Sequence, residues 1–316
     1  MYIVDAFIKP YKRYRKEKFL QKGESVKFFN WGYIGNWFGS FINQNEILGN
    51  SQKTIAFFSL FGEKLSIYIN YSDVKIFFTG ENIHRNEFSR YKNYGFDRGI
   101  DLALGFDYKY NHHHYLRFPL WILYELSPKI DAKKMKATCD SLSYHSLKEP
   151  LRFCSLVSSF DSNGLRKEMY DALSGLDEIS CGGNLFNNTN ELKTTCNDDK
   201  ILYLKHFKFN ICPENSNAEG YVTEKIFQAI RSGSIPVYWG SNNDPEPDVV
   251  NKNAVIFWNE GGDNTNTIRL IEELTTSPKL YKEFYEQPRL LPHADQAIME
   301  MMYSLEQKLK SLIGNV

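Results

Sequence analysis

The sequence predicts an α/β fold organised in two domains. Three observations predict this fold class: the length of 316 residues, a series of short apolar runs, and helical stretches that separate several of those runs. Domains commonly contain about 150 residues, so a chain of this length is expected to form two of them. Short apolar runs that alternate with helices are typical of parallel strands covered on both faces.

Seven apolar runs predict the strands. In chain order they occupy residues 26–31, 54–61, 74–80, 151–159, 208–213, 234–240 and 254–258. Helices are predicted at 163–176 and 221–233, between successive strands. Residues 294–314 place apolar side chains at helical spacing, which indicates a helix that packs on a core rather than a cofactor site.

The domain boundary is predicted near residue 150, at the end of a polar segment (127–150) without a clear hydrophobic period. We therefore expect an N-terminal domain at 1–150 and a C-terminal domain at 151–294. The helix at 295–316 is expected to pack back on the first domain.

Composition excludes several classes of protein. The 38 Lys and Arg balance the 38 Asp and Glu, so the chain lacks the basic excess of dedicated nucleic-acid binders. With 42% hydrophobic and 24% charged residues, it is not expected to be disordered. No apolar run approaches the ~18 residues that span a bilayer, and the first residues lack the pattern of a signal peptide. The 5 Cys form no C-x-x-C pair, which favours reduced thiols and a cytoplasmic location.

Residues 9–18 form a basic cluster that carries six Lys and Arg. One interpretation is a solvated loop or helix end. The other is a weak contact with an anionic membrane surface, which would place the protein at the periphery of the inner membrane.

The residues that suggest chemistry lie between two predicted strands, in ENS (214–216) and GYVTEKI (220–226). This segment follows a strand and opens a helix, whose unpaired N–H groups and positive dipole end favour an anion. A cation in the first helical turn opposes the dipole, so Lys225 indicates a bound anion such as phosphate. The alternative is a solvated Lys225 beside a capping Glu224. Neither the G-x-G-x-x-G pattern nor the P-loop pattern is present.

The segment 210–241, NICPENSNAEGYVTEKIFQAIRSGSIPVYWGS, resembles the signature of the GDP-fucose-dependent α1,3/α1,4-fucosyltransferases. Further blocks of that family resemble FFTGEN (77–82), YLRFPL (115–120) and SFDSNGLRKEMYDAL (159–173) in this chain.

The resemblance covers residues 70–260 and includes two departures from the family pattern. Phe160 stands where the family usually has Asn, and Pro213 stands where an aromatic or apolar residue is common. Both positions are expected near the donor pocket, so they bear on the contacts to the donor.

The resemblance implies the GT-B fold, in which two Rossmann-like α/β domains face each other across a cleft. The N-terminal domain (1–150) would then bind the acceptor, and the C-terminal domain (151–294) would bind the donor, GDP-fucose. Family members transfer L-fucose from GDP-β-L-fucose with inversion of configuration. The acceptor implied for this chain is the 3-OH of GlcNAc in an N-acetyllactosamine-type oligosaccharide, giving the α1,3 linkage found in Lewis antigens and on lipopolysaccharide. No cofactor and no divalent metal are expected to be required.

Three alternatives to this function stay open at the level of sequence. The first is α1,4 transfer of fucose to type 1 chains, and the second is transfer from another nucleotide sugar. The third is a non-catalytic carbohydrate-binding protein, in which the abundant aromatic side chains would stack on sugars.

The resemblance also implies roles for single residues. Glu81, within FFTGEN, is the expected general base, and a carboxylate that merely closes a turn is the alternative. Arg166 and Lys225 are expected to bind the leaving diphosphate, because a guanidinium and an ammonium stabilise its developing charge. Glu224, the second expected catalytic residue, would hold a sugar hydroxyl of the donor or offset positive charge on the fucose.

Other residues of these motifs are expected to shape the donor pocket. Asn215 and Tyr221 would line it, although Tyr221 also suits core packing. For Glu214, the alternative to lining the pocket is a purely structural role. The pair Gly182-Gly183 follows an expected strand. Either it lets the backbone approach the nucleotide closely, or it only forms a turn.

His113 and Arg117 are assigned to the acceptor cleft. The run His112-His113-His114 invites a metal interpretation, but adjacent side chains point in different directions, so a loop at the mouth of the cleft is favoured. Segment 244–246, DPE, faintly resembles the D-x-D metal motif of other glycosyltransferases. No metal site is predicted there, because a helix dipole with Arg and Lys would take that role.

Overall fold

The computed structural model describes residues 2–31, 36–147 and 151–314, without the side chains of residues 2–7. The chain divides into two compact units, one comprising Met1–Asp131 with Met299–Val316 and the other Ala132–Ile298. The boundary predicted at residue 150 lies outside the described residues. The two units divide at residue 131, before the predicted boundary. The reason is that the polar helix Ala132–Ser143 buries Met135, Cys139 and Leu142 and groups with the second unit.

The first unit contains a parallel sheet with the strand order β1-β2-β3-β4-β5. Its strands are β1 (Val26–Phe29), β2 (Ile55–Phe58), β3 (Val74–Phe78), β4 (Leu102–Gly105) and β5 (Tyr115–Arg117). The strands are aligned so that aromatic side chains stack across neighbours, as in Phe28 on Phe57 and Phe29 on Phe58. All residues of β2 are buried, which matches its continuous apolar run.

Helices and short 3₁₀ turns connect these strands. The α-helices of the first unit are α1 (Tyr2–Leu20), α2 (Asn36–Gln44), α3 (Leu65–Tyr68) and α4 (Trp121–Glu125), and its 3₁₀ helices are Asn86–Tyr91 and Phe96–Arg98. The basic cluster 9–18 lies on α1, where Tyr14 is buried and stacks on Phe29 while the six Lys and Arg side chains are exposed. Among the described residues, no helix is both long and apolar enough to cross a membrane.

The second unit contains a parallel sheet with the strand order β10-β9-β8-β6-β7. Its strands are β6 (Arg152–Leu156), β7 (Ile179–Cys181), β8 (Phe207–Ile211), β9 (Ile235–Tyr238) and β10 (Ile256–Phe257). Strand β6 pairs with β7 on one side and with β8 on the other. After β6 the chain first adds β7 on one side and then β8 on the other, so the strand order reverses between β6 and β8. In open α/β sheets, ligands bind at the carboxyl ends of the strands at such a reversal.

The remaining helices belong to this unit or begin in it. They are α5 (Ala132–Ser143), α6 (Leu165–Leu173), α7 (Glu191–Thr194), α8 (Lys200–Leu204), α9 (Glu224–Ser232), α10 (Thr265–Thr276), α11 (Pro278–Tyr285) and α12 (Ala294–Ile313), with 3₁₀ helices at Ser241–Asn243 and Lys252–Ala254. Helix α12 buries the apolar stripe predicted for it, including Ile298, Met302 and Leu305. From Met299 onward this helix groups with the first unit.

Candidate functional site

Glu214 organises the segment between β8 and α9. Its side chain is fully buried, although a carboxylate is rarely found inside a protein without partners. The backbone N–H of Thr223 donates to Glu214 Oε1 at 2.8 Å, and the Thr223 hydroxyl donates to Oε2 at 2.6 Å. Thr223 is the N-cap residue of α9, and its side chain makes no capping hydrogen bond of its own. Glu214 thus takes over part of the capping of α9 and ties this helix to the end of β8.

The same carboxylate holds Lys225. The Lys225 ammonium donates to Glu214 Oε2 at 3.3 Å and to the Thr223 hydroxyl oxygen at 2.9 Å, and Glu224 Oε1 lies 3.7 Å away. Burial favours the neutral amine, but the charges of Glu214 and Glu224 outweigh this effect and raise the pKa of Lys225. Lys225 is therefore a fixed ammonium, not the solvated side chain of the alternative interpretation.

Glu224 stands beside Lys225 at the start of α9. Its side chain is mostly buried, with 19% exposed. Burial opposes its ionisation, yet the positive charges of Lys225 and Lys200 outweigh burial and lower the pKa of Glu224. Tyr221, just before the helix, is buried.

Arg166 enters the same region from α6 and is 2% exposed. Its Nη2 donates to the Pro213 carbonyl at 3.2 Å and to Asn215 Oδ1 at 3.0 Å. Its Nη1 has no hydrogen-bond partner in the described chain, and the carboxylate of Asp161 lies 4.0 Å from it. Burial lowers the pKa of Arg166. A buried guanidinium N–H without an acceptor is costly, so Nη1 is suited to donate to an oxygen of a ligand or of a water molecule.

The departures from the family pattern have different consequences. Pro213 adjoins the site through its backbone, since its carbonyl accepts from Arg166. Phe160 is 56% exposed, so its ring is not part of the core. Gly183 packs on the backbone of Ser158, where an added Cβ would lie 2.3 Å from the Ser158 oxygen. The pair Gly182-Gly183 therefore allows a close approach between two loops of the protein itself.

A pocket lies where these elements converge, at the carboxyl ends of β6 and β8. Its walls are formed by Leu156, Val157, Ser158, Arg166, Lys200, Asn210, Ile211, Cys212, Pro213 and Lys225. Three of these residues are cationic, and they come from α6, α8 and α9. Lys200 is not among the site residues that the sequence predicts. Its local sequence, NDDK, is an ordinary polar run, so only the packing of α8 on α9 identifies it.

Glu81 lies in the first unit, after β3. The Thr79 hydroxyl accepts from the Glu81 backbone N–H at 3.1 Å and donates to the Glu81 carbonyl at 2.8 Å. Gly80 packs on Leu120, where a Cβ would lie 2.6 Å from Leu120 Cδ1. This tight turn places the half-buried Glu81 just after the carboxyl end of a central strand.

The two residues assigned to the acceptor cleft are also in the first unit. Arg117 donates from Nε to the Phe106 carbonyl at 3.0 Å, and its guanidinium lies 4.1 Å from the ring centre of Tyr108. His113 is exposed, and its carbonyl accepts from Lys308 at 3.1 Å.

The candidate metal motifs do not form a ligand cluster. The ring of His113 lies 5.0 Å from that of His112, in a stack, and 4.0 Å from that of His114, and Asp244 pairs with Lys252 at 2.9 Å. Across residues 2–31, 36–147 and 151–314, no three His, Cys, Asp or Glu side chains are arranged to hold a metal ion.

Comparison with known proteins identifies the family. Residues 146–305 match the sequence model of the glycosyltransferase family 10 (fucosyltransferase) C-terminal region, and residues 26–124 match that of the alpha-(1,3)-fucosyltransferase FucT N-terminal domain. The chain belongs to glycosyltransferase family 10. These matches confirm the predicted fucosyltransferase resemblance and extend it beyond residues 70–260.

Individual relatives in this family are distant. An alpha-(1,3)-fucosyltransferase FucT from Helicobacter pylori is 30% identical over 199 residues, which cover 55% of this chain and 39% of the relative. An alpha-(1,4)-fucosyltransferase from Arabidopsis thaliana is 35% identical over 82 residues, 26% of this chain and 20% of that protein. The chain therefore matches less than half the length of either relative.

Solved structures of alpha1,3-fucosyltransferases share the fold. One crystal structure aligns with a TM-score of 0.60 at 21% identity and covers 89% of both chains. A second, with GDP-fucose, aligns with a TM-score of 0.56 at 22% identity over 89% of both chains. This likeness, with the two parallel sheets, confirms the predicted α/β class of the GT-B type.

Proposed function

We propose that the chain is an inverting fucosyltransferase that moves L-fucose from GDP-β-L-fucose to the 3-OH of GlcNAc in an N-acetyllactosamine-type glycan. The observation that carries the proposal is the cationic pocket of the second unit, in which the buried Arg166 Nη1 has no acceptor among the described residues and Lys225 is held as an ammonium. A nucleoside diphosphate supplies oxygen acceptors and negative charge in the form that such a pocket requires.

The proposed reaction is a single in-line displacement. Glu81 takes the proton from the acceptor hydroxyl, the hydroxyl oxygen forms a bond to the anomeric carbon of fucose, and the bond from that carbon to the β-phosphate oxygen breaks. The electron pair leaves with GDP, and Arg166 and Lys225 stabilise the charge that develops on its phosphate. One displacement converts the β-linked donor into an α-linked product.

The remaining site residues support this chemistry in the proposal. Asn215 orients Arg166 through the 3.0 Å hydrogen bond, and Glu214 orients Lys225. Glu224 holds a sugar hydroxyl of the donor, and Tyr221 packs beside the nucleotide-sugar pocket. His113 and Arg117 contribute to acceptor binding. Because side-chain cations neutralise the leaving group, neither a metal nor a cofactor is required.

The linkage is the finer part of the proposal. Named relatives support α1,3 transfer, including the Helicobacter pylori protein and an alpha-(1,3)-fucosyltransferase B from Drosophila melanogaster that is 25% identical over 179 residues. The Arabidopsis thaliana alpha-(1,4)-fucosyltransferase favours the second candidate, α1,4 transfer to type 1 chains.

The linkage test is incubation with GDP-fucose and separate type 1 and type 2 disaccharides. Mass spectrometry would detect the product, and NMR would assign its linkage. An α1,3 product on the type 2 disaccharide is expected, and exclusive α1,4 product would overturn the linkage. Binding of the glycan without any GDP release would instead support a carbohydrate-binding protein, and a preference for UDP-sugars or CMP-sugars in thermal-shift assays would overturn the donor.

The role of Glu81 is tested by Glu81→Gln. Loss of a general base is expected to lower kcat by about 10²–10⁴-fold, with the Kd for GDP unchanged because Glu81 is not part of the cationic pocket. Glu87→Gln is the matched control, since Glu87 is exposed and pairs only with Arg85 at 3.0 Å among the described residues. If Glu81→Gln retains the wild-type rate, Glu81 is not the base.

The proposed setting is the cytoplasm, with a weak contact to anionic membrane through residues 9–18. The exposed Lys and Arg of α1 support it, since each adds attraction of about 1 kcal/mol near an anionic surface. Sedimentation with phosphatidylglycerol vesicles is expected to exceed that with phosphatidylcholine vesicles and to fall with salt. Equal sedimentation with both would overturn the contact.

A further inference from the structure

The three cations of the pocket differ in how their charges are compensated. Lys225 has the Glu214 carboxylate at 3.3 Å, and Arg166 has Asp161 at 4.0 Å together with two acceptors for Nη2. Among the described residues, Lys200 makes no hydrogen bond and no ion pair, and it interacts with the carboxylates of Glu224 and Glu214 only through longer-range attraction. Of the three, Lys200 is thus the cation that the protein leaves without a direct counterion.

The position of Lys200 is set by packing. Asp199 accepts from the Leu202 backbone N–H at 2.9 Å and caps α8, while Tyr203 and Leu204 of this helix are buried. Helix α8 packs on α9, and this arrangement brings Lys200 to the pocket wall.

The surroundings of Lys200 disfavour a lone charge. Burial lowers the pKa of Lys200, and the attraction of Glu224 only partly opposes this effect. The ionisable groups that face it from the neighbouring elements are Glu224 and Lys225 of α9, Cys212 and Glu214 after β8, and Arg166 of α6. An anion bound in the pocket would restore the balance, because it would pair with the ammonium that lacks a counterion.

We propose that Lys200 is a third donor-binding cation, which contacts the phosphate groups of the nucleotide beside Arg166 and Lys225. The inference rests on the proposed function for the identity of the ligand. The pocket lies at the carboxyl ends of β6 and β8, where parallel sheets receive the phosphates of nucleotides. A diphosphate also offers several separate oxygens, so it can meet three cations that arrive from three helices.

The test measures binding of GDP and of guanosine by isothermal titration calorimetry. Lys200→Met keeps the length of the side chain but removes its charge, and it is expected to weaken GDP binding by about 10-fold to 100-fold. Guanosine has no phosphate, so its affinity should stay within about twofold by the same reasoning. Lys200→Arg retains the charge and should restore most of the affinity for GDP.

Lys205→Met is the matched control, since Lys205 is the exposed C-cap residue of the same helix and lies outside this pocket. It should bind GDP as the wild type does. Unchanged GDP binding by Lys200→Met would overturn the inference, and so would an equal loss for GDP and guanosine, since that would mean a role in folding. Failure of the wild-type protein to bind GDP would instead overturn the proposed donor itself.

Discussion

Glu214 should be essential to the second unit, and Glu214→Gln tests this. The substitution keeps the size of the side chain but replaces one carboxylate oxygen by an amide that donates hydrogen bonds. In the structure both oxygens accept, from the Thr223 N–H at 2.8 Å and from the Thr223 hydroxyl at 2.6 Å, and Lys225 lies 3.3 Å away. Either orientation of the amide therefore directs a donor at a donor.

The expected magnitude follows from burial. Glu214 is 0% exposed, and its substitution leaves the mostly buried Lys225 without its nearest carboxylate. Breaking one partner of a buried pair usually costs about 3–5 kcal/mol, so the free energy of unfolding should fall by that amount. Equilibrium unfolding in urea, followed by far-UV circular dichroism, measures it. The slope of the free energy with urea should not change, because the folded surface stays the same.

The matched control is Glu219→Gln, in the same loop. Glu219 is exposed, so the change should stay within about 0.5 kcal/mol. A loss below about 1 kcal/mol in Glu214→Gln, or one no larger than in the control, would refute the reasoning that the buried carboxylate supports the start of α9.

Three further predictions concern packing, protonation and thiols. Gly183→Ala places a Cβ 2.3 Å from the Ser158 oxygen, so it should lower the free energy of unfolding by about 1–3 kcal/mol in urea; no loss would argue against the close approach. Burial lowers the pKa of Lys200, so its ammonium is lost as the pH rises through that pKa, and calorimetric GDP affinity should fall with it. The fall should be smaller in Lys200→Arg, whose charge persists, and parallel pH profiles would contradict this. The thiols are all buried, and burial raises the pKa of Cys139 to about 11, so Ellman's reagent at pH 8 should react only as fast as the protein opens; rapid reaction of the folded protein would be inconsistent with that burial.

Local patterns in the sequence identify most of the strands. Each of the seven apolar runs overlaps one strand of the structure, because a buried parallel strand needs a short continuous apolar segment. Strand β7 is expected only as the strand before Gly182-Gly183, and β4 and β5 are not predicted. Strand β7 has three residues, and β5 is also three residues long and only partly buried, so neither produces a clear run. Helices α1 and α5 are missed because most of their residues are polar and exposed.

The sequence alone determined the family and indicated part of the candidate site. Residues 214–226 are contiguous along the chain, and their order between a strand and a helix makes an anion site with Lys225 one of two interpretations of the sequence. The same is true of the turn that carries Glu81, since the strand, the glycine and the carboxylate follow one another directly.

The tertiary structure decided which distant residues meet. Arg166, Lys200 and Lys225 belong to three helices, and they converge because β6 and β8 are neighbours in the sheet although β7 lies between them in the chain. It also decided that Glu214 is a buried structural carboxylate and that Lys200 lines the pocket without a direct ion pair among the described residues. Strand order and burial depend on long-range packing, and for this reason no local pattern around residue 200 could reveal them.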